Sequence, residues 1–153
     1  MSVSKNMKKN FRLGQSNEII TPSRVYDLHN LYDYFGISLI GGNRQLNIIF
    51  SPNLEFGKGN LSVMLKFNEI QYLEFSPNFG SDPICDLDEM GYKAPDDRDD
   101  EWLMSQRQST ENDHLFLRFE NNEFIRVFSN HAALINLTSI RCANLAGMQT
   151  GAT

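Results

Sequence analysis

Two stretches, Leu61-Ser-Val-Met-Leu-Lys-Phe67 and Ile70-Gln-Tyr-Leu-Glu-Phe75, decide the fold that this sequence predicts. Apolar residues recur at every second position, which is the pattern of a β-strand with one buried face. A two-residue link, Asn68-Glu69, separates the two stretches and predicts two consecutive strands. The side chains expected in the core are Val63, Leu65, Phe67, Leu73 and Phe75.

Two predicted hairpins flank this centre. The paired segments are residues 37–40 with 45–50, and residues 114–120 with 123–128. The glycine-rich segment Gly41-Gly42-Asn43 supplies the first turn. Asn121-Asn122 supplies the second, because asparagine tolerates the positive φ of a tight hairpin turn. The sequence therefore predicts a mainly antiparallel sheet of about six strands, which can curl into a sandwich or a partial barrel.

A helix is predicted before the first hairpin. Thr21-Pro22 has the form of an N-cap followed by proline at the first helical position, and Gly36 can end the helix. Apolar residues recur between these limits at helical spacing, namely Val25, Leu28, Leu31, Tyr32 and Phe35. The predicted fold class is α+β, with this N-terminal helix packed on the sheet.

A chain of 153 residues is expected to form a single domain, residues 1–153. Residues 1–18 have little periodicity and four basic side chains, so they are expected to form a flexible basic arm. Residues 82–110 are expected to form an acidic insert between the strands. The small and polar residues 146–153 are expected to fray.

Composition points to a cytoplasmic protein. The N-terminus lacks the apolar stretch of a secretory signal, and no apolar run is long enough to cross a bilayer. A pI of about 5.1 argues against nucleic-acid and anionic-membrane partners. Cys85 and Cys142 are isolated and are expected to be free thiols in a reducing compartment.

The acidity of the chain is concentrated between residues 82 and 101. This acidic segment contains nine acidic and two basic residues, a net charge of −7, whereas the whole chain carries −5. The remaining residues are therefore slightly positive, at +2. Pro95 followed by Asp96-Asp97 predicts a helix start within the segment. Such dense like charge predicts either a solvated loop or a surface that meets a basic partner.

Catalytic and metal-binding signatures are absent from the sequence. The three histidines are dispersed, neither cysteine lies in a CxxC pair, and no GxSxG is present. Residues 86–97 match part of a calcium-binding EF-hand loop, but Met90 stands where a ligand is needed. We therefore expect no catalytic residue, no metal and no cofactor. The many carboxylates of the chain still allow a paired-carboxylate hydrolase, although those of the acidic segment are expected to be too exposed to act as an acid and a base.

The order and spacing of the predicted strands resemble those of small bacterial immunity proteins from polymorphic-toxin and contact-dependent competition systems. This resemblance is carried by Phe67-Asn-Glu-Ile-Gln-Tyr-Leu-Glu-Phe75 and by Leu115-Phe-Leu-Arg-Phe-Glu-Asn-Asn-Glu-Phe-Ile-Arg-Val127. The resemblance implies a cytosolic inhibitor that masks a toxin. It carries over no functional residue, because such proteins bind through surfaces that differ between relatives.

The leading functional hypothesis is a non-catalytic protein-binding module, an immunity- or antitoxin-like inhibitor of a basic toxin such as a nuclease. Carboxylates would steer the partner, and aromatic side chains would anchor it. The predicted binding residues are Asp96, Asp97, Asp99, Asp100, Glu101, Trp102 and Tyr92. The alternative is an enzyme or a small-ligand-binding protein that uses a cavity in the curved sheet.

Overall fold

The computed structural model describes residues 6–42, 44–99 and 102–137, and these residues form ten β-strands. In chain order the strands are β1 (Lys8–Lys9), β2 (Arg12–Leu13), β3 (Glu18–Ile20), β4 (Val25–Asp27), β5 (Tyr32–Ile40), β6 (Gln45–Pro52), β7 (Val63–Phe75), β8 (Leu87–Lys93), β9 (His114–Phe119) and β10 (Phe124–Asn136). The only helical element in these ranges is a single 3-10 turn, Glu120–Asn122. The described part of the chain contains no helix that could span a membrane.

Seven strands form one curled sheet. Six of them lie in the order β5-β6-β7-β10-β9-β8, and every pair in this series is antiparallel. β1 joins the sheet beside β10, to which it is parallel, with Lys8 opposite His131. The sheet curls into a half-barrel, and its ends approach where the Tyr34 N–H donates to the Cys85 carbonyl oxygen at 2.7 Å.

The central stretch is one strand rather than two. β7 runs through the predicted link at Asn68-Glu69, where Glu69 has a φ of 56°. The pairing with β10 shifts register just after this link, between Ile70 and Tyr72. Val63, Leu65 and Phe67 are fully buried, as predicted. Leu73 and Phe75 are partly buried and pack against the same core.

Both predicted hairpins are confirmed. β5 pairs with β6, and β9 pairs with β10. Asn121 and Asn122 have φ values of 61° and 59°, the backbone conformation for which asparagine was expected there.

The predicted N-terminal helix is wrong, and the fold is almost entirely β rather than α+β. β2, β3 and β4 form a second, three-stranded antiparallel sheet. Thr21 accepts the Arg24 N–H on its hydroxyl at 3.1 Å, as an N-cap would, but here the bond closes the turn between β3 and β4. The same side-chain chemistry serves both structures, so the cap signal could not distinguish a helix from a hairpin.

The small sheet covers the concave side of the half-barrel. Ile19, Tyr26 and Leu28 are buried in one cluster with core side chains of the large sheet, including Phe50 and Phe67. The inside of the curl is therefore occupied by packed side chains.

Residues 6–18 are part of the fold, contrary to the predicted flexible arm. Met7, Phe11 and Leu13 are buried in the core. Residues 1–5 and the predicted frayed tail at 146–153 lie outside the described residues.

The acidic segment is not a separate insert. Its middle forms β8, in which Leu87, Met90 and Tyr92 are buried. The stretch that partly matched an EF-hand loop is therefore mostly a strand of the large sheet. The helix predicted at Pro95 is absent, and residues 94–99 form turns instead.

Candidate protein-binding surface

The convex side of β8, β9 and β10 carries basic residues. Side chains alternate along a strand, so Leu115, Leu117 and Phe119 face the core while the intervening residues of β9 face outward. Lys93, Arg118 and Arg126 occupy outward positions on three adjacent strands. We call these three residues the basic cluster.

Arg126 is an enclosed member of the basic cluster, with 3% of its side chain exposed. Nη1 donates to the Asp97 carbonyl oxygen at 2.7 Å and to Asp99 Oδ1 at 2.9 Å. Nη2 donates to the carbonyl oxygens of Ala94 at 2.9 Å and Pro95 at 3.3 Å. The guanidinium thus ties together the turns of residues 94–99, and its planar set of donors suits that role.

His114 completes the surroundings of Arg126. The Arg126 Nε–H donates to His114 Nδ1 at 3.0 Å, and the imidazole stacks on Tyr72 with ring centroids 4.6 Å apart. Burial, with a further contribution from the Arg126 charge, lowers the pKa of His114 to about 4. His114 is therefore neutral at neutral pH and accepts a hydrogen bond on Nδ1.

Residues 94–99 and 102–104, which we call the acidic cover, lie over the basic cluster. Met104 fixes one end, because its N–H donates to the Tyr92 carbonyl oxygen at 2.8 Å and its carbonyl accepts the Tyr92 N–H at 2.9 Å. Leu103 packs so closely on Gly91 that a Cβ at position 91 would lie 2.6 Å from the Leu103 Cβ. Glycine at position 91 thus permits the cover to contact the sheet.

Part of the acidic charge is neutralised within the molecule. Arg118 pairs with Glu89 at 2.7 Å, and Arg126 pairs with Asp99 at 2.9 Å. These two arginines reduce the net charge of the region from −7 to −5. Asp99 therefore has a basic partner within the molecule, while residues 82–101 as a whole keep a net negative charge.

The structure places the predicted binding residues in different surroundings. Trp102 is 67% exposed and Asp96 is exposed, so both can meet a partner. Asp97 is partly buried, and its carboxylate accepts the Ala94 N–H at 2.9 Å. The carboxylate of Asp99 forms an ion pair with Arg126. Asp100 and Glu101 lie outside the described residues.

Tyr92 was wrongly predicted to be a binding residue, since its side chain is fully buried. Burial raises the pKa of its hydroxyl, which donates to Gln106 Oε1 at 2.8 Å. The reason is positional: Tyr92 faces the core in register with Leu115.

Arg126, Arg118 and His114 were missed by the sequence interpretation. Period-two alternation in residues 114–119 and 124–128 places all three side chains opposite the core-facing leucine, isoleucine and valine residues. Basic side chains on the face opposite the core, in a chain with one strongly acidic segment, could have predicted ion pairs within the molecule.

The two edges of the large sheet differ in how they are covered. At β8, Asn17 Nδ2 donates to the Asp88 carbonyl oxygen at 2.9 Å, and Asn17 Oδ1 accepts the Met90 N–H at 3.0 Å. Met104 covers the next part of the same edge. At β5, large apolar side chains are exposed instead, namely Phe35, Ile37, Leu39 and Ile40.

No group of three or more potential metal ligands occurs among residues 6–42, 44–99 and 102–137. Cys85 is exposed. Partial desolvation by the surrounding protein, together with the neighbouring carboxylates, raises the pKa of its thiol, which disfavours the nucleophilic thiolate. Cys142 lies outside the described ranges.

Comparisons with known proteins identify no relative. No protein-family model matches the chain, and no curated protein or solved structure is significantly similar to it. The resemblance to immunity proteins therefore stays a prediction.

Proposed function

We propose that this chain is a non-catalytic protein-binding module that masks a basic protein, in the manner of a cytoplasmic immunity protein or antitoxin. The partner would be a toxin domain such as a nuclease, whose substrate-binding surface is basic. The observation that carries the proposal is Trp102, an exposed indole held on an acidic and well-anchored cover.

The placement of Trp102 supports a binding role. The neighbouring Leu103 packs on Gly91, and Met104 pairs with Tyr92, so the chain on one side of the indole is fixed to the sheet. A backbone segment that is already fixed loses little conformational freedom on binding, and tryptophan is enriched among residues that dominate interface energies.

Charge supports a basic partner. Residues 82–101 keep a net charge of −5 when Arg118 and Arg126, which pair with Glu89 and Asp99 in the described part of the chain, are counted with them. Such a patch accelerates encounter with a basic surface, and salt weakens the effect because the Debye length is about 8 Å at physiological ionic strength.

The alternative, an enzyme or small-ligand-binding protein with a cavity in the curved sheet, gains no support from the concave side. Phe50, Leu65 and Phe67 fill that side and are fully buried. The proposed interface accordingly lies on the convex side, at the acidic cover.

Two variants test the interface by surface plasmon resonance, with the wild-type chain first used to capture its partner from the source cell. Asp96→Asn should mainly slow association and reduce its salt dependence. Trp102→Ala should mainly speed dissociation, by tenfold or more if the loss reaches about 1.4 kcal/mol. Since the indole is exposed, the melting temperature should not change.

Phe56→Ala is the matched control, because Phe56 is 70% exposed but belongs to the turn after β6. Its kinetics should equal those of the wild type. Unchanged dissociation of Trp102→Ala would refute the proposed anchor. Capture of only acidic proteins would refute the proposed partner class.

A further inference from the structure

The upper part of β5 is an open sheet edge. Among the hydrogen bonds of the described residues, those of residues 35–40 connect only to β6. The backbone groups on the opposite side of this strand therefore have no strand beside them. An edge of this kind can pair with another strand.

The exposed edge is both apolar and uncharged. Residues 35–42 read Phe-Gly-Ile-Ser-Leu-Ile-Gly-Gly and contain neither a charged residue nor a proline. Phe35 is 72% exposed and Leu39 is 56% exposed. Monomeric proteins usually protect such an edge with lysine, proline or a covering segment.

The opposite edge of the same sheet has that protection. Asn17 and Met104 satisfy the outward backbone groups of Asp88, Met90 and Tyr92 along β8. One edge is thus blocked against further pairing, while the other carries exposed apolar side chains.

Opposite charges lie at the two ends of β5, and this arrangement fits an antiparallel pairing of β5 with β5 of a second copy. Asp33 lies near the start of β5, and the exposed Arg44 lies just beyond its end. In an antiparallel arrangement Asp33 of one copy comes near Arg44 of the other at both ends. A parallel arrangement would instead bring like charges together.

We propose that β5 pairs with β5 of a second copy about a two-fold axis, which joins two half-barrels into one continuous sheet. A pairing centred on Ser38 places Ile37 of one copy opposite Leu39 of the other. These four side chains share the concave side and cover one another. The interface contains none of the acidic cover, so it does not rest on the proposed partner-binding function.

The test is sedimentation velocity of the full chain over a range from low to high micromolar concentration. The wild type should shift from monomer to dimer. Leu39→Lys should raise the dimer dissociation constant at least about tenfold, because the two ammonium groups become diagonal neighbours across the axis. Leu54→Lys is the control, since Leu54 is 92% exposed but lies outside β5, and it should dimerise like the wild type.

Hydrogen exchange provides a second readout. Backbone amides of residues 36–40 should exchange more slowly as the wild-type concentration rises, and Leu39→Lys should abolish this dependence. A wild type that stays monomeric, or a Leu39→Lys variant that dimerises normally, overturns the proposal. Slow exchange at every concentration without a dimer also overturns it, because the edge would then be covered within one molecule.

Discussion

Arg126 is the residue on which the position of the acidic cover depends. Its guanidinium bonds to three carbonyl oxygens and one carboxylate of residues 94–99, as well as to His114. A buried cation of this kind stabilises a fold only when its partners are all present. Removing the cation leaves those partners without their donor.

Arg126→Met should lower the free energy of unfolding by about 3 kcal/mol, since breaking an enclosed ion pair leaves polar groups unsatisfied. The measurement is urea denaturation followed by circular dichroism. Arg107→Met, which alters an exposed arginine, is the control and should change stability little. Equal stability of the two variants would mean that residues 94–99 are held by other contacts.

His114 makes stability depend on pH. Its pKa is about 4 in the folded chain, against an ordinary value of 6.5, so the unfolded chain binds more protons between these values. The stabilisation from a neutral His114 is complete above pH 6.5 and is lost as the pH falls toward 4. Asp113, Asp99 and Arg126 are the charged groups that act on it.

His114→Gln keeps a hydrogen-bond acceptor but does not titrate. The fall in unfolding free energy between pH 7 and pH 4.5 should therefore be smaller in this variant than in the wild type, by an amount on the order of 2 kcal/mol. Denaturation curves at the two pH values measure it. His131→Gln alters an exposed histidine, and a reduction of the same size there would contradict the assignment to His114.

At the scale of elements, β7 is the strand that joins the β5–β6 hairpin to the rest of the large sheet. It pairs with β6 through residues 63–67 and with β10 along its whole length. Phe67 lies where all three strands meet, opposite Leu46 on one side and Ala132 on the other, and it is fully buried.

Phe67→Ala should lower the unfolding free energy by about 3–5 kcal/mol through lost burial and the cavity left behind. Thermal and urea denaturation both measure the loss. Tyr72→Ala on the same strand is the comparison, because Tyr72 is 39% exposed and should cost less. A melting temperature unchanged by Phe67→Ala would contradict the core assignment.

The elements that could be predicted from sequence are those whose signals allow one structure only. Asn121-Asn122 between two alternating runs has few uses other than a tight turn. By contrast, Val25, Leu28, Leu31, Tyr32 and Phe35 fit helical spacing but belong to two strands and the link between them. Tyr26 and Leu28 are both buried and lie two residues apart, as on one face of a strand. That strand signal is too short to outweigh the longer helical pattern.

The surroundings of the candidate binding residues could be predicted only in part, and their binding role stays a prediction. Trp102 and Asp96 could be chosen as candidate surface residues from the local composition alone, because their exposure does not depend on a partner elsewhere in the chain. Asp99 and Tyr92 could not, because their roles depend on Arg126 and Gln106, which lie elsewhere in the chain. Strand pairing brings together residues that are far apart in the sequence, so the local sequence pattern around one residue does not show which partner it will meet.

At the scale of the whole molecule, the two edges of the large sheet differ in character: one carries negative charge and the other carries exposed apolar side chains. The acidic cover lies by β8, and the uncharged apolar strand lies at β5. Trp102 is the single tryptophan, so its fluorescence reports only on the acidic side.

Caesium should quench Trp102 fluorescence more strongly than iodide at low salt, because the surrounding negative charge attracts the cation and repels the anion. Stern–Volmer titrations measure the two constants, and added salt should bring them together. Free N-acetyltryptophanamide provides the reference ratio for the two ions. Stronger quenching by iodide than this reference would mean that the indole lies away from the acidic residues.

The position of β10 has a consequence for how the chain acquires its structure. β10 pairs with β7, β9 and β1, yet it follows all three in the chain. Asn10 and Leu134, which bond through two hydrogen bonds, are 124 positions apart. A ribosome must therefore release most of the polypeptide before its first strand finds a neighbour. Until then β7 and β9 lack their shared partner, so we expect slow folding, with chaperones occupying the unpaired strands during synthesis.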